Sequence, residues 1–403
     1  MLERYDNLLG KHPQDRNILL GKIRLEAQQN NIDQALKTSK VLLELEPDNE
    51  DARLAIAQLL YNHGQAKSAM ATLSRGIDHN PTSKKLQLQQ IRFLAQSDLK
   101  NARQKMIQLV ATHDDDIDLL FSLGLLDKQL GLRDKARQTF QKVIRHNRRL
   151  ADSHYQLALM ADEDHQTDTA LNHYALVTDG PSLLPAIARM TQLMSENGET
   201  TKARLYLHQL RLQRPTLVVA LYRLESELLM GQMRYDSAYS LLTEGLAEHP
   251  TDFDLLYTRS LVSEKLNDIA SVEQDLRAIL KQDTNNVSAL NALGYSLTNH
   301  TDRYEEALVL IRQALLISPD DAAIVDSLGW VLYRLGQHEE ALGHLRTAMG
   351  QAPDPEVAAH LGEVLWVSGE KDEALTIWRE ALESAPNSEY LLDTLNRFEI
   401  PTL

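Results

Sequence analysis

Fourteen histidines and 57 acidic residues are the side chains with most chemistry to offer in this 403-residue sequence. Brought together, they would ligate a metal or act as general acids and bases. Their spacing does not bring them together. His338, Glu339 and Glu340 run consecutively, but the second histidine required by a HExxH zinc helix is missing. His113, Asp114, Asp115 and Asp116 suggest a cation loop, yet lack the alternating ligands and closing glutamate of a calcium loop. Pairs such as Glu305-Glu306, Glu339-Glu340 and Asp320-Asp321 suit helix starts, where carboxylates meet free N–H groups. Cysteine is absent, which removes disulfides, thiolate metal sites and cysteine nucleophiles. No serine sits in a nucleophile elbow, and the glycines never gather into a phosphate-cradling loop. No catalytic residue, metal or cofactor is expected.

Binding is then the function to look for, and the question becomes which elements would present the binding residues. Apolar residues make up 43% of the chain, while Gly (17), Pro (12) and aromatics (5%) are few, a mixture suited to helices. The formal net charge of -15 is spread along the sequence. It opposes binding to nucleic-acid phosphates and gives no basic footing on an anionic membrane. No apolar stretch reaches the length of a membrane span, and the first residues do not read as a signal peptide.

Proline provides the ruler. Pro13, Pro47 and Pro81 are 34 residues apart, and the spacing resumes at Pro215, Pro250, Pro319, Pro353 and Pro386. Twelve residues before most of these stands a small residue: Ala35, Ala69, Ala203, Ala238, Ala307, Ala341 and Ala374. Earlier still comes a Leu-Gly or Leu-Ala pair, as at Leu123-Gly124, Leu157-Ala158, Leu293-Gly294, Leu328-Gly329 and Leu361-Gly362. Small residues on both helices permit a close crossing, and proline stops the second helix. Gly131, Gly336 and Gly369 fall between the helices, where a left-handed residue closes the first. These marks describe a unit of helix, turn, helix and short connection.

The fold class expected is all-α: a tetratricopeptide-repeat solenoid, a right-handed superhelix of helical hairpins. Eleven repeats are placed at 16–49, 50–82, 83–116, 117–150, 151–183, 184–218, 219–252, 253–286, 287–321, 322–354 and 355–388. Asp114, Arg148 and Thr284 stand where proline would be, and Val272 replaces the second-helix alanine. The seventh repeat reads as stretched by two residues between Gly231 and Ala238, and the ninth carries an extra residue near Asn299 to Arg303. Residues 1–15 read as the second helix of a truncated repeat, which implies a fragment of a longer protein. Residues 389–403 read as a capping helix and tail. Apolar residues at the N-terminal face, such as Leu8 and Leu9, open a route to self-association.

In stacked hairpins the first helix of each repeat lines the concave groove. The candidate protein-binding residues are therefore Phe121, Tyr155, Tyr222, Tyr257, Asn291, Tyr295, Asp326, Trp330, Tyr333, Arg334, Glu363 and Trp366. Trp378, four residues after a second-helix alanine, reads as core. Trp330 has two readings, groove anchor or intra-repeat packing, and the first is favoured; beside Tyr333 and Arg334 it has the chemistry of an interface anchor. No matched set of groove cations forms, so capture of a C-terminal carboxylate is not expected.

The run NALGYSLTNHTDRYEEALVLIRQALLISPDDAAIVDSLGWVLYRLGQHEEALGHLRTA, followed by PDPEVAAHLGEVLWVSGEKDEALTIWREAL, resembles a family of tetratricopeptide-repeat outer-membrane lipoproteins of Gram-negative bacteria. Asn291, Tyr295, Asp326, Trp330, Tyr333, His360, Glu363 and Trp366 carry the likeness within 287–388. The resemblance implies a non-enzymatic adaptor in the periplasm, tethered to the outer membrane by a lipidated N-terminus. It would bind and activate a carboxyl-terminal processing protease and present cell-wall hydrolases to it. The alternative is a general envelope scaffold for secretion, pilus or polysaccharide-export machinery.

Overall fold

The structure, a computed structural model, describes residues 1–29 and 31–400. Asn30, within the first expected repeat, and residues 401–403 of the expected tail lie outside the described residues. All the regular structure described is helical, and the chain divides into two compact units, Met1–Leu193 and Met194–Leu403.

The first unit opens with α1 (Leu2–Lys11), followed by hairpins α2 (Arg16–Gln28) with α3 (Ile32–Leu45), and α4 (Glu50–Asn62) with α5 (Ala66–His79). Next come α6 (Lys84–Leu94) with α7 (Leu99–Thr112), α8 (Ile117–Gln129) with α9 (Arg133–Arg145), and α10 (Leu150–Glu163) with α11 (Thr167–Ala175). Helix α12 (Leu183–Glu196) runs across the division. In the second unit α13 (Thr200–Gln213) and a 3-10 turn (Pro215–Leu217) lead into α14 (Val218–Gly231) with α15 (Tyr235–Glu248), and α16 (Phe253–Lys265) with α17 (Ile269–Gln282). The unit ends with α18 (Val287–His300) and α19 (Tyr304–Ile317), α20 (Ala322–Arg334) and α21 (His338–Gln351), α22 (Pro355–Ser368) and α23 (Lys371–Ser384), then α24 (Glu389–Arg397).

Small residues set the spacing of each hairpin. Ala69, Ala238, Ala307, Ala341 and Ala374 on the second helices are completely buried. On the first helices, a methyl group added to Gly362 would overlap the Trp378 indole, and one added to Gly329 would lie 2.6 Å from Leu345 Cγ. Trp378 is itself fully buried, so the glycine is the recess that admits its indole. Helix starts are capped by side chains: Asp321 accepts from the Ala323 N–H at 3.0 Å, and Asp354 from the Glu356 N–H at 2.8 Å. Asp116, from the acidic run that suggested a cation loop, caps α8 and pairs with Lys84.

The turn between hairpin helices corrects one expectation. The left-handed residue stands five positions before the second-helix small residue: Gly336 (φ 80°) before Ala341 and Gly369 (φ 94°) before Ala374. In the seventh repeat Met233 (φ 57°) holds that position before Ala238, not Gly231, so nothing is stretched there. Gly231 is simply the last residue of α14. In the ninth repeat Asp302, five positions before Ala307, is not left-handed; Thr301 before it is extended, with its Oγ1 donating to the Leu297 carbonyl at 2.7 Å.

Within the first unit, α1 lies against α2 with the Tyr5 ring over Gly21, and Asp6 pairs with Lys22 at 2.5 Å. Leu9 packs against the core of the first repeats, while Leu8 stays exposed. In the second unit one continuous core runs from Tyr222 to Leu395, with Phe398 packed against it.

Candidate functional site

In the second unit the first helices α16, α18, α20 and α22 line a cleft of about 440 Å³. Tyr257 and Leu261 come from α16, Asn291, Ala292 and Tyr295 from α18, Asp326 and Ser327 from α20, and Glu356 and Val357 from α22. The repeat explains the convergence, since residues about 34 apart occupy matching places on successive first helices.

Beside and beneath this cleft the same helices are tied by polar and aromatic contacts. Trp330 is 5% exposed and stacks on His360, with ring centroids 4.1 Å apart and planes 17° from parallel. Its indole N–H donates to Asn299 Oδ1 at 2.7 Å. On the imidazole itself, His360 Nδ1 lies 3.0 Å from Asp326 Oδ2. Burial disfavours the imidazolium, but Asp326, with Glu356 and Glu363 farther away, outweighs it and holds His360 above its ordinary value. The Tyr295 hydroxyl donates to Glu356, so α18 reaches α22 past the intervening repeat. Burial lifts the Glu356 pKa despite that hydrogen bond. Tyr333 donates to Glu363 Oε1 at 3.2 Å, and Arg397 of α24 donates to Glu363 Oε2 at 2.6 Å.

The twelve candidate residues therefore divide. Tyr257, Asn291 and Tyr295 line the cleft and are partly exposed. Asp326 touches the same cleft but is buried in its pair with His360. Trp330 is corrected from an exposed anchor to an internal wedge between repeats, because its indole is consumed by His360 and Asn299. Glu363 is buried under Tyr333 and Arg397. Arg334 donates to the Thr298 carbonyl at 3.0 Å and lies over the Tyr304 ring, which fixes its fork within the fold. Trp366 is partly buried against Trp378 and Phe398, with Lys371 Nζ 4.6 Å from its ring centre.

Two further candidates fall inside the core instead of on the groove. Tyr222 is buried with the Arg211 guanidinium 4.3 Å from its ring centre, and its hydroxyl donates to Glu244 at 3.0 Å. Phe121, in the first unit, is buried between Phe140 and Arg149, the latter 4.1 Å from its ring centre. Tyr155 is partly exposed and tilts against Tyr174. Sequence reasoning missed Glu264, Asp354 and Glu356, which line the cleft. A signal for two of them exists: Asp354 and Glu356 flank Pro355, the first residue of α22.

The first unit has a cleft of its own, about 370 Å³, lined by Leu88, Ile91, Arg92 and Ala95 on its α6 side together with Ser122 and Leu125 of α8. Lys84 and Arg149 stand at its margin. No group of three or more His, Cys, Asp or Glu able to hold a metal ion occurs among the described residues. No helix among them is long and apolar enough to cross a membrane.

Comparison with known proteins finds the repeat in family profiles and in a sequence relative. Tetratricopeptide-repeat family profiles match residues 35–91, 301–359 and 355–380. A TPR repeat-containing protein of Pseudomonas aeruginosa is 38% identical over 367 residues, covering 89% of this chain and 61% of that protein. The chain thus spans about three fifths of that relative's length. A tetratricopeptide repeat protein of Parabacteroides merdae aligns over 61% of this chain and 98% of its own, at 14% identity and a TM-score of 0.48. Yeast Tom70 aligns over 99% of this chain and 91% of its own, at 16% identity and a TM-score of 0.46. The chain is an all-α array of helical hairpins that carries tetratricopeptide repeats and is related to known proteins with such repeats.

Proposed function

We propose that this chain is a protein-interaction scaffold of the Gram-negative cell envelope, and that the cleft across α16, α18, α20 and α22 is one of its binding surfaces. The observation that carries this reading is the cleft itself: partly exposed Tyr257, Asn291 and Tyr295 converge from two first helices on a concave surface with an apolar floor. The broad form of the reading is a scaffold for envelope assembly, including secretion, pilus or polysaccharide-export machinery.

The narrower form rests on the resemblance over residues 287–388. In it the chain is an adaptor, held at the outer membrane by a lipid anchor on the full-length protein, that recruits and activates a periplasmic carboxyl-terminal processing protease. Cell-wall hydrolases would be the substrates presented. A repeat array with a cleft in each unit suits the holding of two partners, which raises their effective concentration. Activation would need tighter binding to the active protease conformation.

Two measurements with the purified chain and purified protease separate the forms. Binding by isothermal calorimetry, with faster cleavage of a short unstructured peptide, is expected for the activating adaptor. Binding without faster peptide cleavage would reduce the role to tethering. Absence of binding to the protease would leave only the broader scaffold, to be pursued by crosslinking in envelopes.

A further inference from the structure

The cleft of the second unit has a definite electrical sign. Glu264, Asp326, Asp354 and Glu356 line it, and among the described lining residues there is no Lys or Arg. Asp326 pairs with His360 at 3.0 Å, and Glu264 lies 3.5 Å from His300 Nε2. Asp354 and Glu356 form no ion pair among the described residues, although Glu356 accepts the Tyr295 hydroxyl. The field extends to Tyr390 on α24, whose pKa burial raises to about 12 with help from Glu356, Glu264 and Asp354.

The floor between these carboxylates is low and apolar. Ala292, Ala322 and Ala323 leave room for a backbone to approach, and Tyr257 and Leu261 offer flat apolar surface. Asn291, in the same cleft, is partly exposed, and its buried Oδ1 has no hydrogen-bond partner; a turn of the side-chain amide would present that oxygen to an incoming N–H. The first unit's cleft has the opposite balance, with Lys84, Arg92 and Arg149 against the single carboxylate of Asp118. The negative sign therefore belongs to this cleft in particular and is not a uniform property of the first helices.

We propose that the cleft of the second unit binds an extended, unfolded segment of a partner protein that carries Lys or Arg side chains. The cations meet Glu356, Asp354 and Glu264, their aliphatic stems lie on Tyr257 and Leu261, and the Asn291 side-chain carbonyl receives a backbone N–H. Charge complementarity selects the segment and the apolar floor holds it. This inference rests on reading the cleft as a protein-binding surface.

The test is fluorescence anisotropy with the full chain and a labelled short peptide of alternating Arg and Leu, beside Gln and Glu versions of the same peptide. The Arg peptide should bind roughly tenfold or more tightly than the Gln peptide, and weaken as salt rises. In the variant E264Q/D354N/E356Q, which keeps shape and the α22 cap, that preference should vanish while far-UV circular dichroism is unchanged. Equal binding of the Arg and Gln peptides, survival of the preference in the triple variant, or displacement by spermidine as effective as by unlabelled peptide would overturn the inference. Ala323→Trp, which fills the floor, separates the two levels. If equal binding of all peptides is lost in Ala323→Trp, the cleft still binds protein and only the cationic assignment fails; if Ala323→Trp changes nothing, the binding-cleft reading fails with it.

Discussion

Trp330 of the tenth repeat and His360 of the eleventh lie ring on ring, 4.1 Å between centroids, so that one repeat's tryptophan is the next repeat's packing surface. Removing that indole should open a cavity and strand Asn299. Trp330→Ala is expected to cost about 3–5 kcal/mol, as for other large buried aromatics. Urea unfolding followed by the remaining fluorescence of Trp366 and Trp378 reports on these repeats directly, and an unchanged midpoint would refute the internal role.

The same histidine gives a pH dependence with a fixed sign. His360 has a folded pKa above its ordinary 6.5, so the folded state binds the proton more tightly than the unfolded chain. Its stabilisation is complete below about pH 6.5 and is lost as pH rises through the folded value. The stability difference between the parent and His360→Gln should therefore shrink from about pH 6.5 upward. His154 and His173 in the first unit act in the opposite sense, because burial lowers both; their contribution is present above about pH 6.5 and lost on acidification. Comparison at the tryptophans keeps the two effects apart.

Gly362 tests the close crossing. A methyl group there would run into the Trp378 indole, which is fully buried and has nowhere to retreat. Gly362→Ala is expected to destabilise by about 1–3 kcal/mol through overpacking, even though alanine favours helix. A gain in stability would show that the crossing can relax.

Met233 tests the turn. It is exposed and held at φ 57°, in the position that glycine takes in the tenth and eleventh repeats. Met233→Gly should raise stability by about 0.5–1 kcal/mol by relieving left-handed strain, against the entropic cost of glycine. Thermal unfolding compared with Gly336→Ala, which should lose a similar amount, checks both directions.

Asp275 tests a buried charge. It is 1% exposed and holds Arg259 through two hydrogen bonds, at 2.6 and 2.8 Å. Asp275→Ala would leave the guanidinium poorly solvated and should cost about 3–5 kcal/mol. Restoration by the double change Asp275→Leu/Arg259→Met would show that the loss came from the stranded cation.

The hairpins were legible in the sequence because close crossing restricts residue size at fixed offsets: Gly329, Gly362, Ala341 and Ala374 admit little else. Turn positions were legible only where glycine marked them, and Gly231 misled because Met233 tolerates the left-handed conformation two residues later. The groove was harder. Periodicity places Trp330, Glu363 and Tyr295 alike on first helices, yet Trp330 and Glu363 are consumed by residues about one repeat away. A pattern of apolar spacing records that a side chain leaves its own hairpin, not whether it then meets water or the next repeat. Glu356 was missed for the same reason, since its importance arises from Tyr295, 61 residues earlier.

That long reach changes how the end of the array must come apart. Repeats that touch only their neighbours can peel away one at a time, each loss costing one interface. The Tyr295 to Glu356 hydrogen bond spans a whole repeat, and Arg397 fastens α24 to Glu363. Fraying of the eleventh repeat breaks its hold on the ninth as well as its contact with the tenth, so the amide hydrogens of these three repeats should exchange more nearly together than those of repeats joined to their neighbours alone.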